Sequence, residues 1–374
     1  MILRVKIRLF FFLFLLLIFI SRITGLSSRK PTASPQKSNQ RFQTQFISGR
    51  RCLILPPSSQ SVKGNPPHPP PLVIIGGTAQ SINSWEHHFT GLRRNRHVLI
   101  YECLGQGPLP QHAENTEDYF CDVSLQTQAA DLASILLSPT VVTSTSSSVS
   151  SSSPVTYDLA GFSFGGRVAL SLAVTHPHLV RRVHVTGVPA ERDAFGRHVL
   201  TSWRDILSSC RDDNDDATTT TTTTSRASMR AFAWSCLFHT YSPTFLSRQD
   251  DGRLRLWVER ICEGNNPRGL LALLEQTHTD DLEDEWHVLS MARKIVEEQG
   301  SLYDTTGVND EGDCGIRGRL VVGELDCMAS VAEVRRLSRV LGWGEVGVFE
   351  GSGHAAVIER AREWRKDLLD FLDS

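Results

Sequence analysis

Six short runs dominated by Val, Ile and Leu punctuate this chain, at 72–75, 97–101, 157–160, 182–186, 320–323 and 346–349. Each is nearly continuous rather than alternating, the pattern of a strand buried on both faces. Between them lie segments with helical periodicity, such as 126–137 and 167–176. Strands of this kind alternating with helices predict an α/β fold, with a mostly parallel central sheet and helices on both faces. Two segments break the rule. Residues 42–46 alternate polar and apolar side chains, and 52–55 can pair with them as a first hairpin. From 191 to 312 the strand pattern gives way to helices, with the length and position of a helical cap.

Low-complexity segments fall between these elements. Seven prolines from Pro56 to Pro71 mark an extended linker. Residues 140–153 are almost all Ser, Thr and Val, and the insert at 212–225 sets Asp212, Asp213, Asp215 and Asp216 ahead of the threonines 218–224. The acidic run lacks the glycine and spacing of a calcium loop, so both inserts are read as solvated and disordered. The folded core is then expected in two parts, 72–190 and 313–374, separated by the cap at 191–312.

The N-terminus carries a different signal. Arg4, Lys6 and Arg8 precede an apolar run from Leu9 to Ile20, too short for a comfortable membrane span and right for a signal-peptide core. Residues 1–26 are read as that peptide; 27–71, basic and rich in Ser, Gln and Pro, look like a transit-like segment and linker, part of which forms the hairpin. Import into the ER, with a plastid destination, is one expectation; plain secretion and a signal anchor are the alternatives. Membrane contact is otherwise expected only during targeting. The first 85 residues hold eleven Lys or Arg and no acid, which leaves 28 basic against 41 acidic side chains in the remainder. Such a balance does not favour nucleic acid as a partner. Eight cysteines are scattered without a Cys-x-x-Cys pair, so no zinc or redox motif is legible.

Chemistry enters at Gly161-Phe162-Ser163-Phe164-Gly165-Gly166, between an expected strand and an expected helix. A serine on a sharp strand-to-helix turn needs glycines two residues either side, because larger side chains would collide there. Ser163 would then project into a cleft, with the Phe164 N–H facing a developing negative charge. Asp326 and His354 follow the runs at 320–323 and 346–349, where loops at the carboxyl edge of a parallel sheet can meet the serine. His354 would accept its proton, and Asp326 would hold the imidazole tautomer. Glu324 is the fallback acid, and Glu191 and Asp193 are more distant ones. The glycine turn Gly76-Gly77-Thr78-Ala79 after the first buried run can aim a second N–H, that of Thr78, at an oxyanion.

With these parts in this order, the chain from Leu72 to its C-terminus resembles the α/β-hydrolase superfamily. Tyr101-Glu102-Cys103-Leu104-Gly105-Gln106-Gly107 is similar to the loop after that family's next strand, with Glu102 replacing the usual aspartate. The usual His-Gly turn is Gly76-Gly77. The resemblance implies a capped α/β-hydrolase fold, a Ser163–Asp326–His354 triad and hydrolysis of an ester or related acyl bond without a metal or organic cofactor. The stretch from Ser163 to Leu170, and Thr186-Gly187-Val188-Pro189, also resemble menaquinone-pathway enzymes that eliminate pyruvate to form 2-succinyl-6-hydroxy-2,4-cyclohexadiene-1-carboxylate. That branch implies that Arg167 binds an anionic substrate; a salt-bridged helix residue is the plainer reading. A ligand-binding protein on the same fold is a third possibility.

A small-molecule substrate is the expected partner. In the cap, Phe232, Trp234, Phe238, Tyr241 and Phe245 cluster along one stretch. They are read either as cap core or, with Trp234 and Phe238 foremost, as an apolar wall for the substrate. His87, His88, His176 and His178 are read as surface or helix-capping residues.

Overall fold

The computed structural model describes residues 44–58, 69–108, 122–145, 155–210, 219–281, 285–306 and 315–374. The expected signal peptide and the acidic run at 212–216 lie outside these. The sheet begins with a tight hairpin. Ser48 and Gly49 have φ of 51° and 78°, the left-handed pair of a type I′ turn, whose twist matches that of the flanking strands. The turn joins β1 (Gln45–Ile47) to β2 (Arg50–Leu55) in antiparallel register. The alternation at 42–46 thus becomes a strand displaced toward the turn, because the two-residue loop sets the register.

The parallel strands follow as β3 (Leu72–Ile75), β4 (Val98–Tyr101), β5 (Tyr157–Phe162), β6 (Val180–Thr186), β7 (Arg317–Gly323) and β8 (Gly347–Phe349). Their order across the sheet is β1-β2-β4-β3-β5-β6-β7-β8. Only the β1–β2 and β2–β4 pairs are antiparallel. From β3 the chain steps one way to β4, then returns to the other side of β3 as β5. This reversal opens a crevice beyond the carboxyl ends of β3 and β5, where open α/β sheets bind ligands.

The helices are α1 (Phe89–Leu92), α2 (Leu125–Leu136), α3 (Pro139–Thr145), α4 (Phe164–Thr175), α5 (Ala194–Ser208), α6 (Thr219–Thr240), α7 (Pro243–Leu246), α8 (Asp251–Glu263), α9 (Pro267–Asp280), α10 (Val288–Thr306), α11 (Val331–Leu341), α12 (Ala356–Glu359) and α13 (Ala361–Asp373). Strand periodicity divides the core into two. Val73, Ile75, Leu99, Leu159, Val183 and Val322 pack with α2, α4, α10 and α11. Their neighbours Leu72, Ile74, Val98, Ile100 and Ala160 pack on the opposite face with Trp85, Phe89, Trp364 and Leu368. Among the described residues, no helix is long and apolar enough to cross a membrane.

Three expectations change. Part of the Ser/Thr/Val insert is helical: α3 starts at Pro139 and seats Val141 fully in the core. The threonine run does not remain loop, because α6 begins at Thr219 and continues into the cap. Finally, α10 packs its Met291, Ala292 and Ile295 into the core shared with α4 and α11. That helix covers the sheet, and the helices that cover the site come from α5 to α9.

His88 is a correction with a measurable consequence. It is fully buried rather than a surface cap. Its Nε2–H donates to Val357 O at 2.8 Å, and Arg365 Nη1 donates to its Nδ1 at 3.1 Å. Burial, with help from His87 and Arg365, pushes its pKa down to about 2. An unfolded chain therefore binds a proton below about pH 6.5 that the folded chain refuses. Stability contributed by neutral His88 is complete above that pH and falls by at most about 1.4 kcal/mol per pH unit beneath it. Thermal melts at pH 7 and pH 5 should show a larger acid loss for the parent than for His88→Asn.

Candidate active site

Ser163 sits between β5 and α4 with φ 52° and ψ −118°, a backbone region that costs on the order of 1–3 kcal/mol for a residue with a Cβ. The neighbours hold it there. Ser163 N–H donates to Thr186 O at 2.8 Å, in line with the β5–β6 ladder. A Cβ at Gly161 would lie 2.5 Å from Gly165 O, and one at Gly165 would run into Ile75 O. The turn can be this tight only with glycine at both places, which is the physical content of the spacing.

Two further loops deliver their side chains to the serine. His354, from the loop after β8, places Nε2 at 2.8 Å from Ser163 Oγ. Asp326, from the loop after β7, places Oδ2 at 2.7 Å from His354 Nδ1. An ionised carboxylate only accepts, so Nδ1 carries the hydrogen and Nε2 is left to accept from the serine hydroxyl. The other carboxylate oxygen, Asp326 Oδ1, accepts from Met328 N–H and Ala329 N–H, each at 2.8 Å. Asp326 and His354 are both buried, while Ser163 keeps partial access to a cavity. The fallback acid Glu324 points elsewhere and accepts from Gly351 N–H at 2.9 Å. Glu191 pairs with Arg336, and Asp193 caps α5 through Gly196 N–H.

That cavity, of about 90 Å³, is lined by Thr78, Phe162, Ser163 and His354 on the sheet side and by Trp203, Leu237, Tyr241 and Ile261 from the cap. No Asp, Glu, Lys or Arg lies among its described lining residues. The Thr78 turn is pinned from several directions. Gly77 N–H donates to Gln80 Oε1 at 3.0 Å, and Ile82 N–H to Glu102 Oε1 at 3.1 Å. Asn265, from the cap, donates to Ala79 O at 3.1 Å. Glu102 is half of an ion pair with Arg51, though burial still raises its pKa. Its longer side chain reaches the Thr78 turn from the end of β4, which gives the departure from aspartate a local use.

The structure does not bring Trp234, Phe238 or Arg167 to this cavity. From α6 and the residue just past its end the cavity takes Cys236, Leu237, Thr240 and Tyr241, a stripe of i and i+4 positions. Trp234 and Phe238 fall on the next stripe and stack on each other at 5.7 Å, with Phe238 62 % exposed. Phe232 is cap core, edge-on to Trp203. Arg167 is buried, but its Nη2 lies 2.8 Å from Asp281 Oδ1, while Arg192 holds Oδ2 at 2.8 Å. Burial works to raise the Asp281 carboxyl, and the two guanidiniums outweigh it and hold it down to about 2. Leu237, Ile261 and Trp203 carried no signal of their own in the sequence; the i and i+4 spacing to Tyr241 is a cue to Leu237, whereas Trp203 on α5 and Ile261 on α8 had none. Among the described residues no cluster of His, Cys, Asp and Glu could hold a metal ion.

Comparison with known proteins gives the same fold. The Alpha/beta hydrolase family model matches residues 72–366. Pyrrolizixenacetamide deacetylase from Xenorhabdus hominickii is 24% identical over 208 residues, which span 55% of this chain and 64% of that protein, less than two thirds of its length. The enol-lactonase from Burkholderia xenovorans is 15% identical with a TM-score of 0.59, covering 89% of this chain and 100% of its own. An alpha/beta hydrolase enzyme from a Medee basin deep-sea metagenome library is 15% identical with a TM-score of 0.58, covering 89% of this chain and 98% of its own. By its sheet order, the seat of its serine and the family match over most of its length, this chain belongs to the alpha/beta hydrolase family.

Proposed function

We propose that the chain is a serine hydrolase that cleaves an ester or related acyl bond of a small, uncharged, partly apolar substrate through an acyl-enzyme. The observation that carries this is the continuous relay from Ser163 Oγ to His354 to Asp326, at 2.8 and 2.7 Å. Ser163 Oγ attacks the acyl carbon as His354 Nε2 takes its proton, and Asp326 stabilises the imidazolium. The oxyanion is met by Phe164 N–H at the start of α4 and by Thr78 N–H. Gly77 N–H is already bonded to Gln80, whereas Thr78 lines the cavity. Collapse of the intermediate expels the alcohol or amine, which takes the proton from His354. Water, activated by the same imidazole, then attacks the acyl-enzyme and frees the acid.

The apolar, uncharged cavity supports a neutral acyl group of modest size, and the deacetylase relative agrees with a short one. The pyruvate-eliminating alternative loses its anion-binding residue, because Arg167 is paired with Asp281 away from the cavity. The test is reaction of the full chain with an alkyl fluorophosphonate, followed by a series of p-nitrophenyl esters. Stoichiometric labelling of Ser163 is expected, with acetyl to butyryl esters turned over at least about ten-fold faster than the dodecanoyl ester. A folded chain that resists the reagent would bring the ligand-binding reading forward.

A further inference from the structure

His354 lies in a loop whose backbone is bonded to the cap directly on one side of the histidine and, on the other, to Glu359 of α12, which itself holds the cap. Ala355 N–H, just after it, donates to Thr240 O at 2.7 Å, at the C-terminal end of α6. Gly353 N–H, just before it, donates to Glu359 Oε1 at 2.9 Å. The same Oε1 accepts from Ser242 N–H at 2.8 Å, and Oε2 accepts from the Ser242 hydroxyl at 2.5 Å. Ser242 is buried and caps α7, its Oγ accepting from Phe245 N–H at 3.2 Å. One carboxylate therefore gathers three donors, one from the histidine loop and two from the joint between α6 and α7. The acid loop meets the cap at the same place: Cys327, next to Asp326, donates from Sγ to His239 O at 3.2 Å.

Glu359 is not among the residues that line the cavity. Its geometry nevertheless acts on the reacting atoms through the backbone, because Gly353 is the residue from which the His354 Cα hangs. We propose that Glu359 is a positioning residue that couples the seat of the cap to the reach of His354 toward Ser163. The inference rests on Ser163 and His354 acting as nucleophile and base. The cap is then part of the frame that aims the base rather than a cover laid over a finished site.

Without the carboxylate, Gly353 N–H and both Ser242 donors lose their acceptor, and the histidine loop is free to shift against the cap. The outer part of the loop keeps its own tie, from Arg360 Nε to Glu350 O at 3.1 Å, so the loop itself persists. A displacement near 1 Å of a reacting group costs on the order of 10²-fold in rate.

The experiment measures the rate of labelling by an alkyl fluorophosphonate, together with kcat and KM on a short p-nitrophenyl ester, in the full-length parent, Glu359→Ala, Glu359→Gln and Ser242→Ala. Melting curves accompany each. Glu359→Ala is expected to lower the labelling rate and kcat by about 10- to 100-fold, with KM changed less than about three-fold, because the cavity wall is untouched. Glu359→Gln is expected to recover most of the loss, since its amide oxygen still accepts both N–H groups and its nitrogen can donate to Ser242 Oγ. If Glu359→Ala does not fold, Ser242→Ala carries the test, with an expected fall of about three- to ten-fold in the same two rates. An alanine variant that melts like the parent and labels at the parent's rate overturns the proposal, as does a glutamine variant as slow as alanine, or an unchanged Ser242→Ala. A parent that fails to label overturns the hydrolase reading itself, which distinguishes the two failures.

Discussion

Ser163→Ala should leave a folded protein with no fluorophosphonate adduct and a kcat lower by about 10⁶-fold. The size follows from what the hydroxyl does in the proposed mechanism, where it forms the bond that divides one hard displacement into two easier ones. Folding should survive because the Ser163 N–H bond to Thr186 O is a backbone bond, and alanine meets the same positive φ as serine. His354→Ala should fall into the same range, and the double variant should be little worse than either, because the two groups act as a unit. Esterase progress curves, intact-protein mass after reagent treatment and a melting curve together check this. An adduct that forms at the parent's rate in Ser163→Ala would move the nucleophile elsewhere.

Asp326→Asn should cost about 10⁴-fold in kcat while barely moving the melting temperature. The reason lies in the far side of the carboxylate. Asp326 Oδ1 accepts two backbone N–H groups, from Met328 and Ala329. An asparagine must turn its only acceptor oxygen to that pair, since an amide NH₂ there would face two donors. Its NH₂ then faces His354 Nδ1 and donates to it. The imidazole is left with its hydrogen on Nε2, the nitrogen that must take the serine proton. The backbone around Asp326 thus selects the unproductive tautomer in the variant. Glu324→Gln, by contrast, should stay within about two-fold of the parent, because the exposed Glu324 carboxylate accepts from Gly351 N–H rather than from His354 and surface polar groups count for little. An Asp326→Asn enzyme within ten-fold of the parent would show that another group orients His354.

What the sequence revealed and what it hid divide along physical lines. β3 was legible because a strand buried on both faces tends to be apolar throughout, and all its residues are buried; β5 is equally buried but carries the ion-paired Asp158. Ser163 was legible because its turn excludes any side chain at Gly161 and Gly165. Asp326 and His354 were legible by position, since parallel strands end on one edge and their loops converge there. The cap resisted the same treatment. Its aromatic residues announced an apolar surface, but the docking of α6 decided that Tyr241 faces the cavity while Phe238 faces solvent. For Arg167 the plainer reading, a salt-bridged helix residue, is the one the structure shows; the sequence could not name its partner, because Asp281 comes from the far end of α9. Glu359 drew no notice, since its meaning depends on a contact with Ser242 across 117 positions of sequence.

The hairpin has a practical side. β1 is the terminal strand of the sheet, four strands from β5, or roughly 19 Å from the nucleophile's strand at the usual strand spacing. It is three residues long, and Phe46 is 63 % exposed. The backbone leaves the described fold at Thr44, on this rim. A substitution of an exposed side chain in this strand, such as Phe46→Ser, would therefore lie well to the side of the crevice, so the variant and its parent should share one specific activity.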